Sequence, residues 1–278
     1  MKLGNLIREK IDLFKINNIE NPIHEIRFII LEKLGFSLED QVFNKNIFLN
    51  HKQITGLEQV FKERLNGKPL SRIFNKSYFR EISLKINRHT FCPRIDSEIL
   101  IDIIINKKIK IKNFLELGTG SGALSISLLK NFKSASCVVT DISKEAIYIA
   151  KKNAILNNTL NQMQFICCDW LNCFDNLDFD ILISNPPYIN KMDIENLDKE
   201  VKDYDPLRSL DGGNDGLTAY KRIINDIRNI GKKNLLVLFE IGFNQAHSIT
   251  AIMEENNFKN IQVFKDYRNL PRCILGLT

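Results

Sequence analysis

The sequence predicts an α/β fold, a seven-stranded and mostly parallel sheet closed by a C-terminal antiparallel hairpin, with a small N-terminal helical bundle before it. Three observations carry this. From about residue 91 onward, short apolar runs of strand length alternate with helical stretches, the pattern of a parallel sheet covered on both faces. Up to about residue 75 the chain carries helix signals and little else. Finally, residues 261–264 and 273–277 leave no room between them for a helical crossover, so they pair as an antiparallel hairpin.

Size and composition are compatible with that plan. A chain of 278 residues with 44% hydrophobic content fills one large domain plus a small partner. The longest apolar runs, 99–105 and 235–239, fall well short of the roughly 20 residues that span a bilayer, so no membrane partner is expected. Residues 1–10 alternate charges with apolar positions and lack a signal-peptide core, which reads as a cytoplasmic terminus. The six cysteines form no CxxC pair and the four histidines are scattered, so the sequence suggests no metal site and no disulfide framework, only reduced and mostly buried thiols. The net charge of +6 is spread along the chain, a weak sign of a nucleic-acid or ribosome-associated partner. No stable nucleic-acid partner is expected from it.

Taken in order, residues 1–75 should form a helical bundle that serves recognition. Asn21-Pro22 offers an N-cap with Pro at the first helical position, Ile26, Ile29, Ile30 and Leu34 form a stripe, and Gly35 supplies a left-handed C-cap. Thr55-Gly56-Leu57-Glu58 has capping-box spacing, with Leu57, Phe61 and Leu65 on one face and Gly67 at the end. Between 76 and 90 the period shortens, with Phe79, Ile82, Leu84 and Ile86 leaning to alternation, which predicts a hairpin linker. Residues 91–278 then hold strands at 114–117, 137–140, 164–167, 180–184, 234–241, 261–264 and 273–277. Seven strands ending in that way resemble the class I methyltransferase (Rossmann-like) sheet.

Gly118-Thr119-Gly120-Ser121-Gly122 sits where the first of these strands turns into a helix. Its glycines let the backbone pass close to a ligand, and the helix N-terminus behind them leaves donors free. With Ala123 and with Asp141 about 20 residues on, the loop also satisfies a dinucleotide fingerprint, so alone it does not separate NAD from S-adenosyl-L-methionine. Three features favour the methyl donor. Glu116 places a carboxylate where a pyrophosphate meets repulsion and a cationic methionyl end attraction. Asp169-Trp170 follows the third strand, where an acid and an indole suit an adenine. The third is Asn185-Pro186-Pro187-Tyr188, which has no role in a nicotinamide enzyme. Structural alternatives are a cap for Asp141 on the helix near Ser143, core packing for Trp170 and a solvated strand end for Glu116.

The Asn185 corner lies at the C-terminal end of a strand, the edge where open α/β sheets bind ligands. Residues before proline are pushed to extended conformations, so Asn185 and Pro186 are held stiffly, and neither proline offers an N–H. The Asn185 side-chain oxygen and the Pro186 carbonyl can therefore accept both hydrogens of one planar NH2, while Tyr188 stacks on its plane. A carboxamide and an exocyclic base amine both fit. No histidine or carboxylate near the corner is an obvious general base.

On these residues the chain resembles the bacterial peptide chain release factor N5-glutamine methyltransferases, the PrmC/HemK family. The similarity covers nearly the whole length. It includes Cys92-Pro93-Arg94-Ile95-Asp96-Ser97-Glu98, close to the family's I-P-R-P-[DE]-[ST]-E, then Asp205-Pro206, Leu210-Asp211-Gly212-Gly213-Asn214-Asp215-Gly216-Leu217 with Tyr220, and Phe239-Glu240-Ile241-Gly242. Ile95 stands where the family has its second proline, which loosens the turn beside Arg94. The resemblance implies that Gly118 to Gly122, Asp141, Trp170 and Asn185 contact S-adenosyl-L-methionine, released as S-adenosyl-L-homocysteine. It further implies that Asn185 to Tyr188 hold the glutamine of the Gly-Gly-Gln loop in class 1 release factors, and that the N-terminal helices help recognise that protein. Rival readings are a glutamine methyltransferase of a large-subunit ribosomal protein, an adenine-N6 DNA methyltransferase, and a non-catalytic protein that binds the methyl donor.

Overall fold

The computed structural model describes all 278 residues, and the chain divides into two compact units, Met1–Asn75 and Lys76–Thr278. No helix is long and apolar enough to cross a membrane.

The first unit is five helices: α1 (Leu3–Ile16), α2 (Pro22–Leu34), α3 (Leu38–Phe43), α4 (His51–Leu65) and α5 (Leu70–Phe74). Their apolar stripes meet in one core containing Leu6, Phe14, Ile26, Ile30, Leu57 and Phe61, with the Phe14 and Phe61 rings edge to face at 6.0 Å. Each such side chain removed from water contributes roughly 1.5–3 kcal/mol before the entropy of ordering it is subtracted. The cap predictions fare unevenly. Pro22 opens α2 and Gly35 closes it in the left-handed region, but the Asn21 side chain makes no capping bond. Helix α4 starts a turn earlier than the Thr55 signal: Asn50 and Gln53 form the capping box, and Thr55 lies inside the helix. The same spacing rule occurs twice, and the first occurrence wins because its Asn satisfies the earlier orphan N–H groups. Asn66 is the C-cap, and Gly67 ends the helix just after it with φ 90°.

The second unit opens with the hairpin β1 (Lys76–Phe79) and β2 (Ile82–Lys85), then α6 (Glu98–Asn106), β3 (Asn113–Leu117), α7 (Ala123–Asn131), β4 (Ser136–Asp141), α8 (Lys144–Leu156), β5 (Met163–Cys167) and β6 (Ile181–Ser184). After the short α9 (Lys199–Lys202) come α10 (Thr218–Ile230), β7 (Leu236–Glu240), α11 (Ala246–Glu255), β8 (Lys259–Lys265) and β9 (Pro271–Leu277). The sheet order is β5-β4-β3-β6-β7-β9-β8, parallel as far as β7 and antiparallel from there on. The chain reverses direction across the sheet between β3 and β6, and that switch point opens a crevice at the carboxyl ends of the strands. The β1–β2 hairpin is tied to α8: Asn153 exchanges hydrogen bonds with the Lys85 backbone at 2.7 and 2.8 Å and also donates to the Ser121 carbonyl at 2.8 Å.

Strand periodicity places the polar groups that matter. Leu115 and Leu117 of β3 enter the core beneath α10, so Phe114 and Glu116 face the other way, toward α7. In β7, Val237 and Phe239 join Leu115, and Glu240 is left on the Glu116 face. Two carboxylates thus lie buried at the ends of β3 and β7, on one side of the sheet. The thiols divide differently from the prediction: Cys92, Cys137 and Cys273 are buried, whereas Cys167 and Cys173 are exposed. β5 is the sheet's edge, so the end of this strand and the loop after it stand in water.

Candidate active site

The strand β3 ends in a loop in which Gly118, Gly120 and Gly122 all have positive φ, at 71°, 55° and 82°. This left-handed series is accessible mainly to glycine and turns the chain into α7. At the end of β4, Asp141 accepts from Gly120 N through Oδ2 and from Ser143 N through Oδ1, both at 2.9 Å. Ser143 is itself the cap of α8, accepting from Ala146 N at 3.2 Å, so Asp141 is turned to the glycine loop rather than spent as the helix cap. Burial pushes the Asp141 carboxyl up, opposed by those backbone N–H groups.

Glu116 is not a solvated strand end. Its Oε2 accepts from Thr119 Oγ1 at 2.9 Å, from Ser125 N at 3.2 Å and from the Ser125 hydroxyl. Burial raises its pKa to about 7 against those three bonds. Trp170 has φ 51°, an uncommon value for a bulky side chain, and a Cβ on Gly118 would meet its ring at 3.7 Å. The indole packs partly against the α10 core and also lines the crevice. Asp169 pairs with Arg222 at 3.0 Å.

The β6 end is held to β3 by Ser184, whose hydroxyl donates to the Leu117 carbonyl at 2.8 Å. Next in the chain, the Asn185 Nδ2 donates to Ser97 Oγ at 3.1 Å, which leaves Oδ1 without a protein partner. The Tyr188 hydroxyl donates to Glu240 Oε1 at 3.3 Å, and burial with that neighbouring carboxyl pushes the phenol well above its usual range. The Tyr188 main chain is gripped from behind. Its carbonyl accepts from Gln245 Nε2 at 2.9 Å, and a Cβ on Gly212 would come within 2.8 Å of its Cα. The 210–216 segment therefore lies along the corner, with Ile189 N bonded to the Leu210 carbonyl at 3.0 Å and Gly212 N to the Ile189 carbonyl at 2.8 Å. On the other side Arg94 pairs with buried Asp205 at 2.6 Å, joining the 92–98 motif to the segment after the corner, while Ile95 points into solvent.

These pieces surround one cavity of about 1350 Å³. Its wall brings together Glu116, Gly118, Thr119, Gly120, Ser121, Asp141, Asp169, Trp170, Asn185, Pro187 and Tyr188. Gly122 and Pro186 do not line it; Pro186 is buried in the corner itself.

The family model for the Methyltransferase small domain matches residues 93–200. Over 262 residues the chain is 33% identical to the Release factor glutamine methyltransferase of Agrobacterium fabrum, covering 92% of this chain and 90% of that one. The chain belongs to the release factor glutamine methyltransferase family. The relative of that name from Francisella tularensis is also 33% identical, over 95% of this chain and 93% of its own. Among solved structures, the hMettl16 catalytic domain in complex with MAT2A 3'UTR hairpin 6 aligns with a TM-score of 0.57 at 14% identity, covering 70% of this chain and 75% of that one, which shows the shared methyltransferase fold.

Within this member of the family, three residues at the corner escaped the sequence reading of side-chain roles: Ser97, Glu240 and Gln245. β7 delivers the Glu240 carboxyl to the Tyr188 hydroxyl, a neighbour of the corner to which the sequence reading gave no role. An acid closing the apolar run 235–239 was the available signal, since a buried charge in a central strand is costly unless it has partners.

Proposed function

We propose that this protein transfers a methyl group from S-adenosyl-L-methionine to the side-chain amide nitrogen, N5, of the glutamine in the Gly-Gly-Gln loop of class 1 peptide chain release factors. The observation that carries the reading is the Asn185 amide. With Nδ2 engaged by Ser97, its oxygen is the free acceptor at the cavity wall, at the carboxyl end of β6 and in the same cavity as the glycine loop.

The donor fits the residues present. A Cβ on Gly120 would meet nothing within 4 Å, so the main chain there is open to a ligand, and Asp141 and Trp170 flank it on the same wall. In this reading Gly118 to Gly122 with Asp141 hold the ribose and methionyl parts, Asp169 and Trp170 the adenine, and Glu116 braces the loop from beneath. When bound, the donor supplies an electrophilic methyl group on a cationic sulfur. An amide nitrogen is a weak nucleophile because its lone pair is delocalised. Asn185 Oδ1 accepts one of its two hydrogens at the cavity wall, orienting the nitrogen and partly localising that pair, whereas the Pro186 carbonyl expected to take the other is set back in the corner. Tyr188, fixed through its hydroxyl, presents its ring to the amide plane. Alignment supplies the rest, since effective molarities of about 10⁵ M lower a barrier by roughly 7 kcal/mol. Residues 91–278 would carry this chemistry, and the helices of 1–75 would recognise the protein substrate. Exposed Phe43 and Phe48 suit such a contact.

Incubating the purified protein with labelled methyl donor and, separately, a class 1 release factor, a glutamine-rich large-subunit ribosomal protein and duplex DNA tests the proposal. Label on the release factor glutamine is expected. Label on the ribosomal protein or DNA alone, or on nothing, would overturn it.

A further inference from the structure

Two buried groups at the corner have unmet needs that fit one another. The Ser97 hydroxyl, buried at the start of α6, accepts from Asn185 Nδ2, so its own proton requires an acceptor. Glu240 Oε1 takes the Tyr188 hydroxyl, but Oε2 is sealed from solvent with no hydrogen-bond partner. After burial, the largest influence on the Glu240 carboxyl is the Ser97 hydroxyl, which favours its charged form.

The orientation of Asn185 is otherwise undetermined. A serine hydroxyl both donates and accepts, so Ser97 alone would satisfy either face of the amide. In one orientation Asn185 presents Oδ1 to the cavity and can accept from a substrate NH2; in the other it presents Nδ2 and repels it. An ionised carboxylate only accepts. Where the Ser97 hydroxyl turns to the open Oε2, the carboxylate takes its proton, makes Ser97 an acceptor toward Asn185 and turns Oδ1 outward. We propose that Glu240 and Ser97 are positioning residues that set the polarity of the Asn185 amide, an inference that rests on the reading of Asn185 as the acceptor for the substrate NH2.

The relay has a pH dependence. The groups facing Glu240 are Ser97 and Asp96 ahead of α6, Tyr188 from the corner, Tyr220 from α10, and Arg272 and Cys273 from β9. Arg272 favours the carboxylate and is itself shared with Asp266 at 3.3 Å and Asp96 at 3.6 Å. Burial outweighs these, raising the Glu240 pKa to about 7. Once protonated, Glu240 can donate to Ser97, the serine can donate to Asn185 Oδ1, and the amide turns its NH2 to the cavity.

The test is a kinetic comparison of wild type, Ser97→Ala, Ser97→Thr, Glu240→Gln and the combined Ser97→Ala/Glu240→Gln across pH 6 to 9, with a Gly-Gly-Gln release factor as substrate. Expected are a wild-type kcat that falls below about pH 7 and a loss of about 10- to 100-fold in Ser97→Ala and Glu240→Gln with the KM for methyl donor within about twofold. The low-pH inflection should vanish in both, the combined variant should be no worse than the worse single one, and Ser97→Thr, which keeps the hydroxyl, should retain activity. Full kcat and an unchanged pH profile in Ser97→Ala, or additive losses, would overturn the relay. A second measurement needs no substrate: carbon-13 titration of the Glu240 carboxyl should move to higher pH in Ser97→Ala. An unmoved midpoint sinks the relay even if the release factor is methylated. A moved one sustains it even if the release factor is not, in which case only the substrate reading fails.

Discussion

Gln245 and Tyr188 lie 57 residues apart and share one hydrogen bond on which the corner's shape depends. The Gln245 amide donates to the Tyr188 carbonyl at 2.9 Å and to the Gly216 carbonyl at 3.1 Å, while its oxygen accepts from Gly242 N at 3.0 Å. One side chain thus ties the end of β7 to both the Asn-Pro-Pro-Tyr corner and the glycine-rich segment behind it. Gln245→Ala leaves three main-chain groups short of a partner, two of them carbonyls, and should cost about 1–3 kcal/mol for each buried group not reached by water. Chemical unfolding measures the stability loss. A parallel fall in kcat with unchanged donor affinity would place the damage at Tyr188.

The glycines behind the corner are not equivalent to those elsewhere. A Cβ on Gly212 would sit 2.8 Å from Tyr188 Cα and 2.9 Å from Gly216 Cα, where only backbone can give way. At Gly35 the φ is 74° but nothing lies within 4 Å. Gly35→Ala should therefore cost only the left-handed penalty of about 1–2 kcal/mol, and Gly212→Ala clearly more, with loss of activity. Equal unfolding midpoints for the two variants would contradict this packing.

Asn185 and Asp141 separate two jobs. Asn185→Ala should abolish turnover while changing methyl-donor affinity less than Asp141→Ala does, because in the proposed reading its free oxygen accepts from the substrate. Asp141→Ala removes the acceptor that holds Gly120 N and Ser143 N, and should weaken donor binding first. Calorimetric titration of the donor into each variant discriminates the two. An equal loss of donor binding in both would mean that Asn185 belongs to the donor site instead.

Glu116 gives a pH signature in stability. Its folded value of about 7 lies above the 4.5 of an unperturbed carboxyl, because burial outweighs its bonds to Ser125 and Thr119. A carboxyl raised in this way binds more protons folded than unfolded between those values. Its stabilising contribution is present below about pH 4.5 and lost as pH rises through about 7, by at most about 3 kcal/mol. Urea unfolding at pH 5 and pH 8 should show wild type losing more stability over that interval than Glu116→Gln. Glu240 has the same sign and adds to the same slope. A wild-type slope no steeper than that of Glu116→Gln would remove Glu116 as its source.

Much of this protein was legible in the amino-acid order. Alternation of strand-length and helix-length apolar runs specified the seven-stranded sheet and its terminal hairpin, because periodicity records which faces are buried. The glycine loop and the Asn185 corner were also legible, since positive φ at Gly118, Gly120 and Gly122 and the stiffness of Asn185-Pro186-Pro187 are properties of adjacent residues. Local rules failed where two signals competed, as when Asn50 rather than Thr55 opened α4.

What the tertiary structure decided is which distant groups meet at that corner. Ser97 reaches Asn185 across 88 residues, and Tyr188 reaches Glu240 across 52. Neither pairing has a periodicity or a turn preference to announce it. They follow from the sheet order, which sets β6 between β3 and β7, and from the burial that denies those groups water and makes each depend on a partner elsewhere in the chain. The sequence by itself determined that a rigid corner exists; the packed sheet decided that Ser97 meets its asparagine amide and Glu240 its tyrosine hydroxyl.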